Sequence, residues 1–386
     1  MDQSDKAQSK MVPVLAVVVP TYCEADNIPE LTRRIHEAVS GAGISTEIII
    51  VDDNSQDGTD RVCKELAISY PLRLITRLSE RGLAGAVIHG IGASKSEYVI
   101  VMDADLSHPP EDIPRLVLSL QQGADFVIGS RYVTGGSTDA HWGLFRWLNS
   151  KVATLLARGL TSLRDPMAGF FAFPRRILEG TPSLLPIGYK IGLEILVKAN
   201  CRNVVEIPIT FIDRTRGQSK LTIKQQLHYL RHLRRLYQFK FPRLAELVHF
   251  VAVGGSGTVV DLLVYLLLVH LAAVDHLLAR AVSFVVAASY NWFLHRWLTF
   301  VSGTQRPPGW QWTQFVVAAT LGFIVNWGTY KLLTDNSSYF MHHTIIAFFA
   351  GIGLGAVINY AVCKRFVFRG LGNLVGESSK GSKYEC

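Results

Sequence analysis

Apolar and polar positions divide this chain into two halves that follow different rules. In the first half, short continuous apolar runs end in polar loops, at residues 14–19, 47–51, 72–76, 98–102 and 126–129. Such runs, without alternation, read as strands buried on both faces. Stretches of helical periodicity stand between them, among them 28–38 and 82–94. Strands alternating with helices at this spacing predict an α/β fold, a mostly parallel sheet covered on both faces. In the second half, residues 247–269, 278–300, 313–333 and 344–362 are apolar stretches. Each is near the ~20 residues that a bilayer core requires, so four in succession predict an all-α transmembrane domain.

The membrane half repeats itself. Phe250-Val251-Ala252-Val253 and Asp261 align with Phe315-Val316-Val317-Ala318 and Asn326. Asn291, Arg296 and Phe300 likewise align with Asn359, Lys364 and Phe368, with Tyr290 one place before and Tyr360 one place after the aligned asparagine. Two similar hairpins are the simplest reading. Asp261, Asn291, Asn326 and Asn359 are polar groups in apolar spans, which marks either a functional site or hydrogen bonding between helices. Gly254, Gly255 and Gly257 would favour the second through close packing.

Charge sets the orientation. The net charge is +8, and Arg231, Arg234, Arg235, Lys240 and Arg243 gather just before the first span. Together with Arg296 and Arg306, and with Lys364, Arg365 and Arg369, they fall on one side of the membrane. The positive-inside rule therefore places the first half and both termini in the cytoplasm. A basic segment beside a span suits anionic lipid, and no base-stacking or zinc-finger pattern supports nucleic acid. Five cysteines without regular spacing indicate neither a disulfide framework nor a zinc site. The polar N-terminus lacks an apolar signal-peptide core. The expected divisions are a flexible 1–11, a catalytic domain over 12–221, basic interfacial helices over 222–246, four spans over 247–369 and a loose tail over 370–386.

The chemistry centres on Met102-Asp103-Ala104-Asp105. Strand side chains alternate, so the two acids share one face at the carboxyl end of a strand, where open α/β sheets bind ligands. Paired hard oxygen donors there suit Mg2+ or Mn2+ carrying a diphosphate. Asp53 closes another strand, where it is either a ligand-binding acid or a turn-forming one.

The set Val19 to Glu24, Val51 to Thr59 and Met102 to Pro110 resembles glycosyltransferase family two, the inverting GT-A nucleotide-sugar enzymes. Within it, Gly129-Ser130-Arg131-Tyr132, Asp165-Pro166-Met167-Ala168-Gly169-Phe170-Phe171, Pro186-Ile187-Gly188-Tyr189-Lys190 and Arg214 to Leu221 resemble the dolichol-phosphate (polyprenyl-phosphate) mannose synthases. The membrane half resembles the GtrA-like four-helix domain fused to some of these enzymes. This resemblance implies a Rossmann-like GT-A catalytic domain that moves mannose from GDP-mannose to dolichyl or polyprenyl phosphate at the cytoplasmic membrane face. It implies nucleotide-sugar contacts from Pro20, Tyr22, Glu24, Val51, Asp53, Asp103, Ala104, Asp105, Arg214 and Lys220. Asp105 and Asp103 would hold the metal, with Ser107 a weaker ligand where some relatives carry Gln. Arg131, Arg146 and Ser150 would meet the acceptor phosphate, with Asp103, Asp105 and Arg131 at the catalytic centre.

Two alternatives compete with that reading. UDP-glucose could replace GDP-mannose in the same reaction, or the membrane half could make the chain a lipid flippase or scaffold. A processive polysaccharide synthase is disfavoured, because the Arg-Trp pairs at Arg146 and Arg296 lack the Gln three positions ahead of the arginine.

Overall fold

The computed structural model describes residues 12–79, 81–138, 144–187, 190–212, 223–300 and 307–368. It separates into two compact units, one ending at Lys240 and the other beginning at Phe241.

The first unit opens with β1 (Leu15–Thr21), α1 (Ile28–Gly41), β2 (Thr46–Asp52), α2 (Thr59–Leu66), β3 (Leu72–Thr76), α3 (Leu83–Ala93) and β4 (Tyr98–Val101). It continues through α4 (Ile113–Gln121), β5 (Phe126–Ser130), β6 (Ser137–Thr138), α5 (Leu144–Ala157), β7 (Phe171–Pro174), α6 (Ile191–Lys198), β8 (Val204–Pro208), β9 (Thr210–Phe211) and α7 (Ile223–Lys240). Seven strands form one sheet in the order β3-β2-β1-β4-β7-β5-β8. All run parallel except β7, which is antiparallel to both β4 and β5. The sheet is therefore mixed, and the reason lies in Phe171-Ala172-Phe173-Pro174. All four residues are buried, and the rings of Phe126, Phe171 and Phe173 stack across β5 and β7. So short a run, ending in proline, carries no sign of its direction in the sequence alone.

The central strands are continuous apolar runs because helices cover both faces, and every residue of β1 is buried. On one face α1 seats Ile28, Leu31, Ile35 and Val39, one helical stripe, in the core. On the other, α3 approaches so closely that a Cβ at Gly90 would lie 2.5 Å from Val18 Cγ1 and 2.9 Å from Val51 Cγ2. After β1 the chain builds toward β2 and β3, then returns to place β4 on the opposite side of β1. That reversal opens a crevice at the carboxyl ends of β1 and β4. At the end of the unit, α7 lies against the sheet's helices: Tyr229 and Tyr237 hydroxyls donate to the Ala153 and Leu156 carbonyls at 2.7 and 2.8 Å.

The second unit holds α8 (Pro242–His270), α9 (His276–Leu294), α10 (Pro308–Asn336), the short α11 (Ser338–His342) and α12 (Thr344–Val362). Among the described residues, four helices are long and apolar enough to cross a membrane, α9 and α12 being prolonged by π turns at His295–Thr299 and Cys363–Val367. The repeat extends to these turns, each of which ends at a phenylalanine. The rings of Phe300 and Phe368 stack at 4.7 Å. One helical turn ahead of Phe250 and Phe315 stand Glu246 and Gln311. Glu246 pairs with Lys364 at 2.8 Å, while Gln311 accepts from Arg296, so each hairpin supplies an acceptor to the cation of the other.

The intramembrane polar residues pack against other helices. Asp261 pairs with Arg280 and accepts the Ser283 hydroxyl at 2.7 Å. Asn291 fills the space above Gly257, where a Cβ would come within 2.1 Å of its Oδ1; Asn326 lies over Gly351 and Gly355, and Asn359 over Gly322.

Replacing Gly90 with alanine should wedge α3 off β1 and β2. A loss of about 1 to 3 kcal/mol is expected from overpacking of this kind, read as a lower unfolding temperature of the catalytic unit. An unchanged transition would show that α3 can shift without strain.

Candidate active site

The crevice between β1 and β4 forms a cleft of about 160 Å3. Pro20, Tyr22, Glu24, Asp53, Asp103, Ala104 and Asp105 all line it, residues that lie far apart in the chain. Val51 is nearby but differs in kind: its side chain is fully buried beneath α3, so only its main chain is available at the strand end. The loop after β2 braces itself. Ser55 donates its N–H and hydroxyl to Asp52, and Asp57 receives the Ala25 N–H at 3.0 Å and the Thr59 hydroxyl at 2.8 Å. Burial opposes the Asp57 charge, but these donors prevail and hold its carboxyl below the usual range.

Asp53 lies deep in the cleft. Arg77 pairs with it at 2.9 Å and the Gly82 N–H donates to its Oδ2 at 2.7 Å. The side chains of Arg77 and Asp53 are only 9% and 7% exposed, so the guanidinium makes a buried carboxylate sustainable. At the rim, Arg81 covers the Tyr22 ring at 4.8 Å and donates to its hydroxyl at 3.0 Å. Sequence reasoning missed both arginines, because their partners lie in earlier loops.

The acids after β4 are held by a tight turn. Leu106 takes a left-handed conformation, φ 61°, an unusual one for a γ-branched residue. Ser107, itself buried, donates both its N–H (3.1 Å) and its hydroxyl (2.5 Å) to Asp105 Oδ1. Asp103 is more open, its side chain 29% exposed. Its N–H donates to His108 Nδ1 at 3.2 Å, which puts the imidazole proton on Nε2. His108 stacks on Phe170 and meets the edge of Phe211. Burial keeps that ring below the ordinary histidine pKa, hence neutral. Gly169 completes the packing, since a Cβ there would sit 3.0 Å from Asp103 Oδ2 and 3.2 Å from His108 Cε1.

Arg131, at the end of β5, is gripped by Asp165. Its main-chain N–H, Nε and Nη2 reach that carboxylate at 3.1, 2.7 and 2.8 Å, and Asp165 is completely buried. Burial works against the Arg131 charge, but the Asp165 hydrogen bonds outweigh it and raise the guanidinium pKa further. Glu206 on β8 in turn accepts the N–H groups of Arg164 and Asp165. Lys190 donates to the Met167 carbonyl. Burial, then repulsion from Arg131, lowers its ammonium pKa to about 8 against the pull of Asp103 and Asp165. The motif through Asp165 was visible in the sequence, but its role as partner to Arg131 was not. Arg146 and Ser150 fall on α5 and Arg214 and Lys220 after β9, and these four side chains lie outside the described residues.

Residues 16–181 match the family model described as Glycosyl transferase family 2, and residues 249–368 match that of the GtrA/DPMS transmembrane domain. The dolichol-phosphate mannosyltransferase of Pyrococcus furiosus is 37% identical over 349 residues, which cover 89% of this chain and 97% of that protein. Its Saccharomyces cerevisiae counterpart is 42% identical, over 58% of this chain and 88% of its own length. The polyprenol monophosphomannose synthase of Mycolicibacterium smegmatis is 38% identical, over 53% of this chain and 80% of that one. Similarity that runs through the cleft, the membrane hairpins and nearly the whole of the archaeal relative has one reading: the chain belongs to the dolichol-phosphate mannosyltransferase family, as an integral membrane glycosyltransferase.

Proposed function

We propose that this enzyme transfers mannose, with inversion, from GDP-mannose to a dolichyl or polyprenyl monophosphate at the cytoplasmic face. The observation that carries the reading is the convergence of the β1-end residues, Asp53 and the Asp103–Asp105 turn on one cleft beside the anchored Arg131. The basic residues flanking the spans support the orientation.

The nucleophile in this reaction is a phosphate oxygen that is already ionised near neutral pH. No strong general base is needed, and charge placement and alignment carry the catalysis. His108 fits this view, because a neutral ring that props the Asp103 main chain is not poised to take a proton. Arg131, its guanidinium plane fixed by Asp165, would hold the acceptor phosphate with Arg146 and Ser150. Arg214 and Lys220 would grip the donor diphosphate.

Among the described residues, no three His, Cys, Asp or Glu side chains gather as a metal cage. The two carboxylates in an open cleft nonetheless fit Mg2+ or Mn2+, ions that retain water and take substrate phosphate oxygens beside few protein ligands. Asp105, with Asp103, would hold the ion, which when bound would neutralise charge on the leaving diphosphate. Ser107 commits its hydroxyl to Asp105 and so serves to aim that carboxylate.

Membranes given radiolabelled GDP-mannose and polyprenyl phosphate should yield metal-dependent label in the organic phase. Label from UDP-glucose instead would reassign the donor. In the same assay, Asp105→Asn should lower transfer by more than about a hundredfold, since weakening even the supporting contacts of a metal site costs ten- to a hundredfold. Wild-type activity in that variant would refute the metal role.

Cys23 provides a test of the cleft. It is exposed in the turn between Tyr22 and Glu24, whereas burial pushes the Cys63 thiol up to about 12. Maleimide should therefore label Cys23 and spare Cys63, and GDP-mannose with Mg2+ or Mn2+ should slow Cys23 labelling as read by peptide mass spectrometry. Equal labelling rates with and without nucleotide would place the donor elsewhere.

A further inference from the structure

Arg81 stands just before α3, and neither the donor contacts nor the acceptor contacts above employ it. Its guanidinium carbon lies 4.8 Å from the centre of the Tyr22 ring, and Nη1 donates to the phenolic oxygen at 3.0 Å. The next residue, Gly82, gives its N–H to Asp53 Oδ2 at 2.7 Å, and its carbonyl accepts from Arg77 Nη1 at 3.2 Å. Arg81 is thereby held between two groups that line the cleft, the ring of one loop and the acid of another. The sheet order sets which end of the cleft this is. In β3-β2-β1-β4 the chain leading to α3 leaves from β3, whereas Asp103 and Asp105 follow β4 on the far side of β1. With the diphosphate at those two acids, the arginine stands at the nucleoside end.

A guanidinium carries five N–H donors and no acceptor, and the Tyr22 hydroxyl takes one of the five. Guanine presents two acceptors side by side, O6 and N7, which arginine meets with a pair of hydrogen bonds. Adenine puts an amino donor in place of O6, and a guanidinium has nothing to accept it. We propose that Arg81 selects the base of the donor, donating to O6 and N7 of guanine from its seat on Tyr22. This rests on the GDP-mannose reading above. Two other roles are open to an arginine here: bracing the Tyr22 ring, or gripping the diphosphate. Neither of them distinguishes one base from another.

Calorimetric binding of GDP, ADP and UDP to the full-length protein in detergent, each with Mg2+, separates these roles. Wild type should hold GDP at least about tenfold more tightly than ADP, the scale of one bidentate arginine contact with guanine. In Arg81→Met that ratio should collapse to within about threefold through loss of GDP affinity, with ADP binding little changed. An unchanged ratio, or an equal loss for both nucleotides, would overturn the proposal. The second measurement uses wild type alone, so it decides the matter if the variant does not fold. Modification of Arg81 by phenylglyoxal, read by peptide mass spectrometry, should be slowed by GDP and not by pyrophosphate. Protection by pyrophosphate, or none by GDP, would overturn it. A wild-type preference for UDP over GDP would instead count against the donor given above, and the ratio of GDP to ADP binding would still judge Arg81.

Discussion

The active-site architecture depends on the ion pair between Arg131 and Asp165. A fully buried carboxylate is stable only if paired, and here it receives two guanidinium N–H bonds and a main-chain N–H. The pair joins the end of β5 to the segment leading into β7. Once Asp165 is fixed, and Glu206 holds its main chain, the next residues have little freedom. Met167 turns its carbonyl toward Lys190, Gly169 lies against Asp103 and His108, and Phe170 stacks on that histidine. Phe171 then enters the sheet. The antiparallel β7 is the structural consequence, because a strand placed between β4 and β5 brings the acid turn of one and the arginine of the other to a common edge.

Such a site is costly to assemble. Burying two opposite charges costs desolvation that their attraction only roughly repays, so the pair is weak evidence for stability and better evidence for placement. The energy is spent on direction: a bidentate grip fixes the guanidinium plane, and a free arginine would have to lose that freedom when substrate binds. The same logic applies to the Ser107 hydroxyl on Asp105 and the His108 ring beneath Asp103. In each case a buried neighbour holds a charged group whose exposed side faces the cleft.

Local patterns were legible in the sequence and long-range ones were not. The β-branched runs of β1, β2 and β4 declared buried strands, the Asp103 and Asp105 spacing put two acids on one face, and four apolar stretches announced the spans. Each of these signals lies within a few residues. Direction of β7, by contrast, is decided by its neighbours β4 and β5. The Arg77–Asp53 and Arg131–Asp165 pairs are similarly set by topology, and no local periodicity encodes a partner many residues away. A mostly parallel sheet was the expectation from alternating strands and helices, and it holds in every pairing of the large sheet except those of β7, whose phenylalanine rings stack on Phe126.

The membrane repeat shows how one plan meets the same constraint twice. Hydrocarbon offers a polar group no water, so each must find a partner inside the protein. At one end the two hairpins exchange acceptors, Glu246 to Lys364 and Gln311 to Arg296. Further along, the copies have diverged. The first hairpin joins Asp261 to Arg280 and Ser283, an ionic solution. The second has Asn326 and Phe348 at the corresponding places, and Gly351 where Ser283 would stand. Loss of the serine side chain lets the backbone come close enough for Asn326 to pack directly on it. Charge pairing in one copy is thus replaced by close approach in the other, whereas the reciprocal exchange draws one acceptor and one cation from each copy.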